Sequence, residues 1–307
     1  MNRTLTLLLL LLLSSSLANA ASTTVDFLKL SIGARPTGMG DACVSLCSDI
    51  SASYWNPAGI ALIRAPQAGL AHSEAVIDAS LEFIGAAYPL SPRDTVALSG
   101  IFYIVKPIPV RLSSGESMGD LNWMDKALIA SYGRILSKEL SVGTSVKFIQ
   151  RTESDPIFGS SEGSSFAFDL GIMYHPPFPG IQTGIALLNT GPELRMSGET
   201  KKDALPQTTR AGISYSYDLD SRNTLTTALD FNRILDGNWY PSTGIEFGFQ
   251  KMIVIRTGYY KKDGNIQGIT YGMGITVNRF QFDYSNIPAS EMVGHTRNNK
   301  FSLIMHF

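Results

Sequence analysis

Cysteine is scarce in this sequence: Cys43 and Cys47 are the two in 307 residues. Two thiols with no histidine beside them make no metal site. On a regular helix, residues four apart lie near the upper end of the Cα separations a disulfide can span. An oxidising compartment permits a bridge, but the spacing favours two small buried thiols. Histidine is also sparse, at four, and none falls in a Gly-x-Ser-x-Gly or His-Glu-x-x-His pattern, so no catalytic residue is expected and the chain does not read as an enzyme. The stretch GARPTGMG lacks the Lys-Ser/Thr of a phosphate loop and follows no strand, so no cofactor is expected. There is no basic tract: 25 Lys and Arg stand against 26 Asp and Glu, a net charge of −1, which argues against a nucleic-acid partner. No apolar run after residue 20 is long enough for a spanning helix, and mean hydropathy is only +0.06.

What is present begins with an export pattern. Arg3, a leucine run over residues 5–13, three serines and Ala18-Asn19-Ala20 form an n-region, an h-region and a small-residue cleavage site. The expected divisions are a signal peptide at 1–20, an N-terminal segment at 21–66 and a β domain at 67–307.

From about residue 68 the chain breaks into alternating runs separated by turn residues. In SSFAFDLGIMY, Phe166, Phe168, Leu170, Ile172 and Tyr174 share one face. Leu225, Leu229 and Phe231, then Ile245, Phe247 and Phe249, then Ile269, Tyr271, Met273 and Ile275 repeat the pattern. Period two is what a strand with unlike faces requires. A soluble sandwich alternates too, so alternation alone does not decide. The charges discriminate better. Lys147, Asp169, Arg210, Asp230, Glu246, Arg256 and Asp283 all fall mid-strand, opposite the large apolar residues. In a membrane barrel that face lines the interior, where charges pair and meet water, and the apolar face meets lipid. Tyr88, Tyr132, Tyr174 and Tyr217 close even-numbered strands; Phe102, Tyr103, Phe231, Tyr259 and Tyr284 close odd-numbered ones. Two interfacial girdles produce this distribution.

Strands are expected near 67–75, 80–88, 94–104, 125–134, 139–151, 163–175, 180–190, 207–217, 222–232, 241–249, 252–260, 266–277, 279–286 and 298–307. That is roughly 14, an even number, each about the length needed to cross a bilayer at a tilt. Even-numbered gaps are short and odd-numbered ones mostly long, the pattern of periplasmic turns and external loops. The fold class is therefore all-β: a transmembrane antiparallel β-barrel of about 14 strands with a short N-terminal helical plug. Its lipid partner is the outer membrane. The amphipathic strand ending on Phe307 resembles the signal read by the barrel assembly machinery.

Residues 21–66 do not alternate. GMGDACVSLCSD reads as a short helix capped by Asp41. Trp55, Asn56, Pro57, Ala58 and Gly59 read as a capped turn, with Asn56 as cap and Pro57 at the first helical position. Irregular backbone cannot face lipid, so this segment is expected inside the barrel or at its mouth, as a hatch; a tether outside the barrel is the alternative. Gly59 would let the backbone approach a neighbouring strand, and Tyr54 or Trp55 would wedge the hatch in place.

The stretch FLKLSIGARPTGMGDACVSLCSDISASYWNPAGIALI resembles the N-terminal signature of the PorV/PorQ group of outer-membrane proteins, which sit with the FadL-like barrels of long-chain fatty-acid transporters. The likeness continues thinly through SVGTSVKFI, FDLGIMY, RAGISYSY, VIRTGYY, FDYS and the closing strand. It implies a 14-stranded barrel whose hatch carries Asn56, Pro57 and Ala58. The loops are shorter than those of fatty-acid transporters, and the two cysteines stand where relatives carry small apolar residues. Two roles follow from the resemblance. One is passage of hydrophobic small molecules along a path lined by Ile149, Met173 and Val254. The other is a PorV-like accessory of type IX protein secretion, its cargo contacting external loops at 106–124 and 190–206.

Overall fold

The computed structural model describes residues 25–75, 78–235, 237–261, 267–288 and 297–307. The expected signal peptide lies outside them. Fourteen strands form one closed sheet in which each strand pairs antiparallel with its sequence neighbours and β14 returns to β1. They are β1 (Gln67–Glu74), β2 (Ala79–Pro89), β3 (Asp94–Arg111), β4 (Ser117–Ile135), β5 (Leu140–Asp155), β6 (Gly159–Tyr174), β7 (Ile181–Thr190), β8 (Thr208–Asp218), β9 (Thr224–Ile234), β10 (Tyr240–Phe249), β11 (Ile253–Lys261), β12 (Gln267–Val277), β13 (Phe280–Pro288) and β14 (Arg297–His306). Closure leaves no sheet edge in lipid, where an unpaired peptide group is costly.

The two faces separate as their residue types dictate. Leu98, Phe168, Leu170, Leu229, Ile255 and Met273 are exposed on the outside, while Ile101, Ile129, Ile149, Lys147, Asp169 and Asp230 are buried within. Tyr88, Tyr132, Tyr174 and Tyr217 are all exposed at the ends of β2, β4, β6 and β8. Tyr103 departs from the expected girdle: it points inward and packs on the interior cluster.

Three sequence expectations are corrected. First, β3 and β4 do not end at a loop over 106–124. They continue as a paired hairpin to Arg111 and Ser117. Apolar Ile104, Ile108 and Val110 sustain the strand, and Pro107 and Pro109 are tolerated because β2 ends its pairing at Val105, leaving that edge free. The β5–β6 hairpin also extends, to Asp155 and Gly159. Second, the loop after β7 is not wholly an outward surface. Leu194, Met196 and Leu205 are buried in the interior cluster, and Gly163 and Met196 form a bridge. Third, no helix starts at Asp41. The helix here is Ala34–Gly38, and Asp41 sits at φ 68°, outside the extended region an N-cap needs. Its carboxylate accepts the Ser31 hydroxyl instead.

Candidate functional site: the plug and the wall around it

Residues 25–66 fill the lumen. Val25, Phe27, Leu28, Ile32, Met39, Tyr54, Trp55 and Ile60 are buried in one cluster with Leu81, Phe83, Ile101, Ile129 and Ile149 from the wall. Ala34–Gly38 packs on β11 to β14, and the 3₁₀ turn Pro57–Leu62 packs on β3 to β6.

Asn56 is fully buried with extended backbone. Its Oδ1 accepts the Ala58 N–H at 3.1 Å, which caps the turn. Its Nδ2 donates to the Val44 carbonyl at 2.8 Å and to the Ile172 carbonyl on β6 at 3.2 Å. One side chain thus joins two plug segments to the wall. The wall makes room for this turn. A Cβ on Gly143 would sit 2.2 Å from Pro57, and one on Gly171 would sit 2.0 Å from Asn56 Oδ1. The close approach at Gly59 is to the Cys47 carbonyl, at 2.0 Å from its would-be Cβ, and so lies within the plug rather than against a strand.

Trp55 and Tyr54 are nearly solvent-free. Trp55 Nε1 donates to the Ile32 carbonyl at 2.9 Å, and the Tyr54 hydroxyl donates to the Leu28 carbonyl at 3.1 Å. Both hold the start of the plug. Burial pushes the Tyr54 phenol above its ordinary range, so it stays protonated. The Arg210 guanidinium lies 4.2 Å from the Trp55 ring centre and 5.1 Å from that of Tyr54.

The remaining interior charges form two groups. Lys147 meets Asp169 at 2.9 Å and donates to Asn189 Oδ1 at 2.6 Å. Asn189, at φ 58°, occupies a bulge between β6 and β7 and turns its N–H to Asp169 Oδ1 at 2.7 Å. In the second group Glu246 receives Arg35 through two bonds, at 3.0 and 3.1 Å, and Arg256 at 2.5 Å. Arg256 also reaches Asp283 at 2.6 Å. The Glu246 carboxylate raises the Arg35 guanidinium above its ordinary range, which keeps it charged. Asp230 stands apart from both groups: its Oδ2 accepts the N–H groups of Cys43 and Val44, at 2.6 and 2.8 Å.

Cys43 and Cys47 are joined in a disulfide, against the expectation of free thiols. The chain there is a turn rather than a regular helix, so the Cα atoms are 5.3 Å apart, in the middle of the range a bridge spans. Ile149 and Met173 are buried, whereas Val254 is only partly so. The cavity beside Arg35, Asp49 and Asp283 holds about 20 Å³, room for one water. Larger hollows lie on the outer wall, such as one of about 840 Å³ along Leu70, Ile84, Leu98, Leu128, Phe148 and Phe166. Phe307 is exposed, its N–H bonded to the Pro66 carbonyl at 2.9 Å, which ties the last strand to the foot of β1.

Arg35, Asn189 and Lys300, whose Nζ donates to the Ser31 carbonyl at 2.5 Å, were not singled out from sequence. Lys300 lies on the inward parity of β14 and was legible there. Arg35 lies in the aperiodic plug and carries no such signal.

The family model for the type IX secretion system protein PorV matches residues 14–239, more than half of the chain. The chain belongs to the PorV family. No curated protein sequence matches it. Among solved structures this PorV-family barrel is similar to the CymD monoaromatic hydrocarbon channel, with a TM-score of 0.64 and 12% identity over 93% of this chain and 99% of that one. The Pseudomonas putida toluene transporter TodX gives 0.60 and 10% over 89% and 96%. The Ralstonia pickettii toluene transporter TbuX gives 0.57 and 13% over 90% and 98%. At such identities the likeness is one of fold: a closed antiparallel β-barrel.

Proposed function

We propose that this barrel passes small hydrophobic molecules across the outer membrane of a Gram-negative type bacterium, after export directed by its N-terminal signal. The observation that carries the reading is a lumen closed by a separate N-terminal segment seated on glycines and on one multiply bonded asparagine. Such a plug has discrete points at which it can yield while the paired strands stay intact. The similar structures named for hydrocarbon and toluene transport support the same reading. No residue is assigned a catalytic role. Several interior charges are paired among the described residues: Lys147 with Asp169, Arg151 with Asp125, Arg35 and Arg256 with Glu246, and Arg256 with Asp283. Phe307 is proposed as the contact for the barrel assembly machinery.

A second reading, an accessory of type IX secretion that holds protein cargo at the cell surface, is favoured by family membership and by the tall β3–β6 wall. Proteoliposomes separate the two. Passage predicts that the protein speeds entry of a long-chain fatty acid or a monoaromatic hydrocarbon above protein-free vesicles. Equal rates, with cargo lost from the surface of a deletion strain, would favour secretion.

A further inference from the structure

We propose that the Cys43–Cys47 disulfide is a latch that fixes the plug to the barrel wall. The bonded turn is where three attachments meet. It offers the N–H groups of Cys43 and Val44 to Asp230 on β9, at 2.6 and 2.8 Å. Its Val44 carbonyl accepts from Asn56 Nδ2 at 2.8 Å, and its Cys47 carbonyl fills the space left by Gly59. The same Val44 carbonyl lies 2.3 Å from where a Cβ on Gly184 of β7 would stand. A shift of this one turn therefore disturbs the wall contact and the Asn56 turn together.

Within the turn itself, few bonds besides the disulfide hold its shape. Its internal bonds are Leu46 N–H to the Cys43 carbonyl at 3.0 Å and Cys47 N–H to the same carbonyl at 2.9 Å. A single turn of that length is not stable alone, and the covalent link removes the open conformations. Asp230 depends on it strongly, because its Oδ1 has no hydrogen-bond partner and its Oδ2 is served by these two amides. A buried carboxylate that loses its donors is costly.

Both cysteines are nearly solvent-free, at 2% and 0% exposure, inside a closed sheet. The bond is thus made before the barrel closes around the plug, in the oxidising space outside the inner membrane. Opening it requires a dithiol reductant. The S–S bond breaks, two electrons and two protons pass to Cys43 and Cys47, and the reductant leaves as its own disulfide.

The inference does not rest on passage, and its test reads the plug itself. Assembled protein should show no free thiol on maleimide labelling after denaturation without reductant. In Cys43→Ser/Cys47→Ser, the amides of residues 42–47, 56, 58 and 59 should exchange on the order of tenfold faster than in wild type, with strand amides unchanged. Should that variant not assemble, wild type refolded with and without a dithiol supplies the same comparison. Assembly that fails only under reductant, or assembly with the faster exchange, supports the latch. Free thiols in the assembled barrel, or equal exchange with both thiols reduced, overturns it.

Discussion

The two sides of the lumen hold the same plug by different means. From β2 to β5 the wall offers Leu81, Phe83, Ile101, Ile129 and Ile149, and the plug answers with Phe27, Leu28, Tyr54, Trp55 and Ile60. From β8 round to β14 it offers Arg210, Asp230, Glu246 and Lys300, and the plug answers with the rings of Tyr54 and Trp55, the amides of Cys43 and Val44, Arg35 and the Ser31 carbonyl. Burial is non-directional and tolerates small slides. Charge-assisted bonds at 2.5–3.1 Å do not. The apolar side therefore supplies adhesion, and the polar side supplies register.

The largest expected effect lies in the charge pair that crosses the boundary between the two sides, Lys147 of β5 with Asp169 of β6. Lys147→Met leaves Asp169 buried without its cation and should cost about 3–5 kcal/mol in denaturant unfolding of the barrel in lipid. Replacing both members by apolar residues should recover much of this; a single variant as stable as wild type would erase the distinction between the sides. On the apolar side, Ile129→Ala should cost about 2–5 kcal/mol through the cavity it leaves. Its effect should not change between low and high salt, and a strong salt dependence would contradict a dry contact. Leu229→Arg tests the outer face and should cost about 2–4 kcal/mol if the residue is near the midplane. A neutral result there would mean the face in question does not meet lipid. The smallest effect is at the join of the two sides. Asn56→Ala should cost about 1–3 kcal/mol, from the lost cap and the Val44 carbonyl left unpaired, with heat-modifiable migration in gels unchanged.

The barrel was legible because each strand repeats one rule, and the parity that marks Phe168 as outward marks Asp169 as inward. Parity fails where residue types change without the backbone changing. Lys106 to Met124 is rich in proline, serine and glycine and reads as a loop, yet the register of β3 and β4 carries through most of it. The plug was legible as an exception to alternation, and the cap at Asn56 from its own spacing. Its internal shape was not. Asp41 is a good cap by type but sits at φ 68°, and the turn that brings Cys43 to Cys47 depends on packing from both walls. The pairing of Arg35 with Glu246 spans 211 positions and follows from closure of the sheet, which no local pattern encodes. The role of Gly143 and Gly171 as seats for the plug shows only when both surfaces are in place.

On the proposed reading, the segment seated at Asn56 governs what passes through the lumen. The direct measurement is the rate of entry of a long-chain fatty acid into proteoliposomes holding equal amounts of assembled wild-type or Asn56→Ala barrel. The account predicts a changed rate, with strand content and heat-modifiable migration preserved. An unchanged rate with the Ala58 amide newly open to exchange would contradict it, because the plug would then have loosened without consequence for passage.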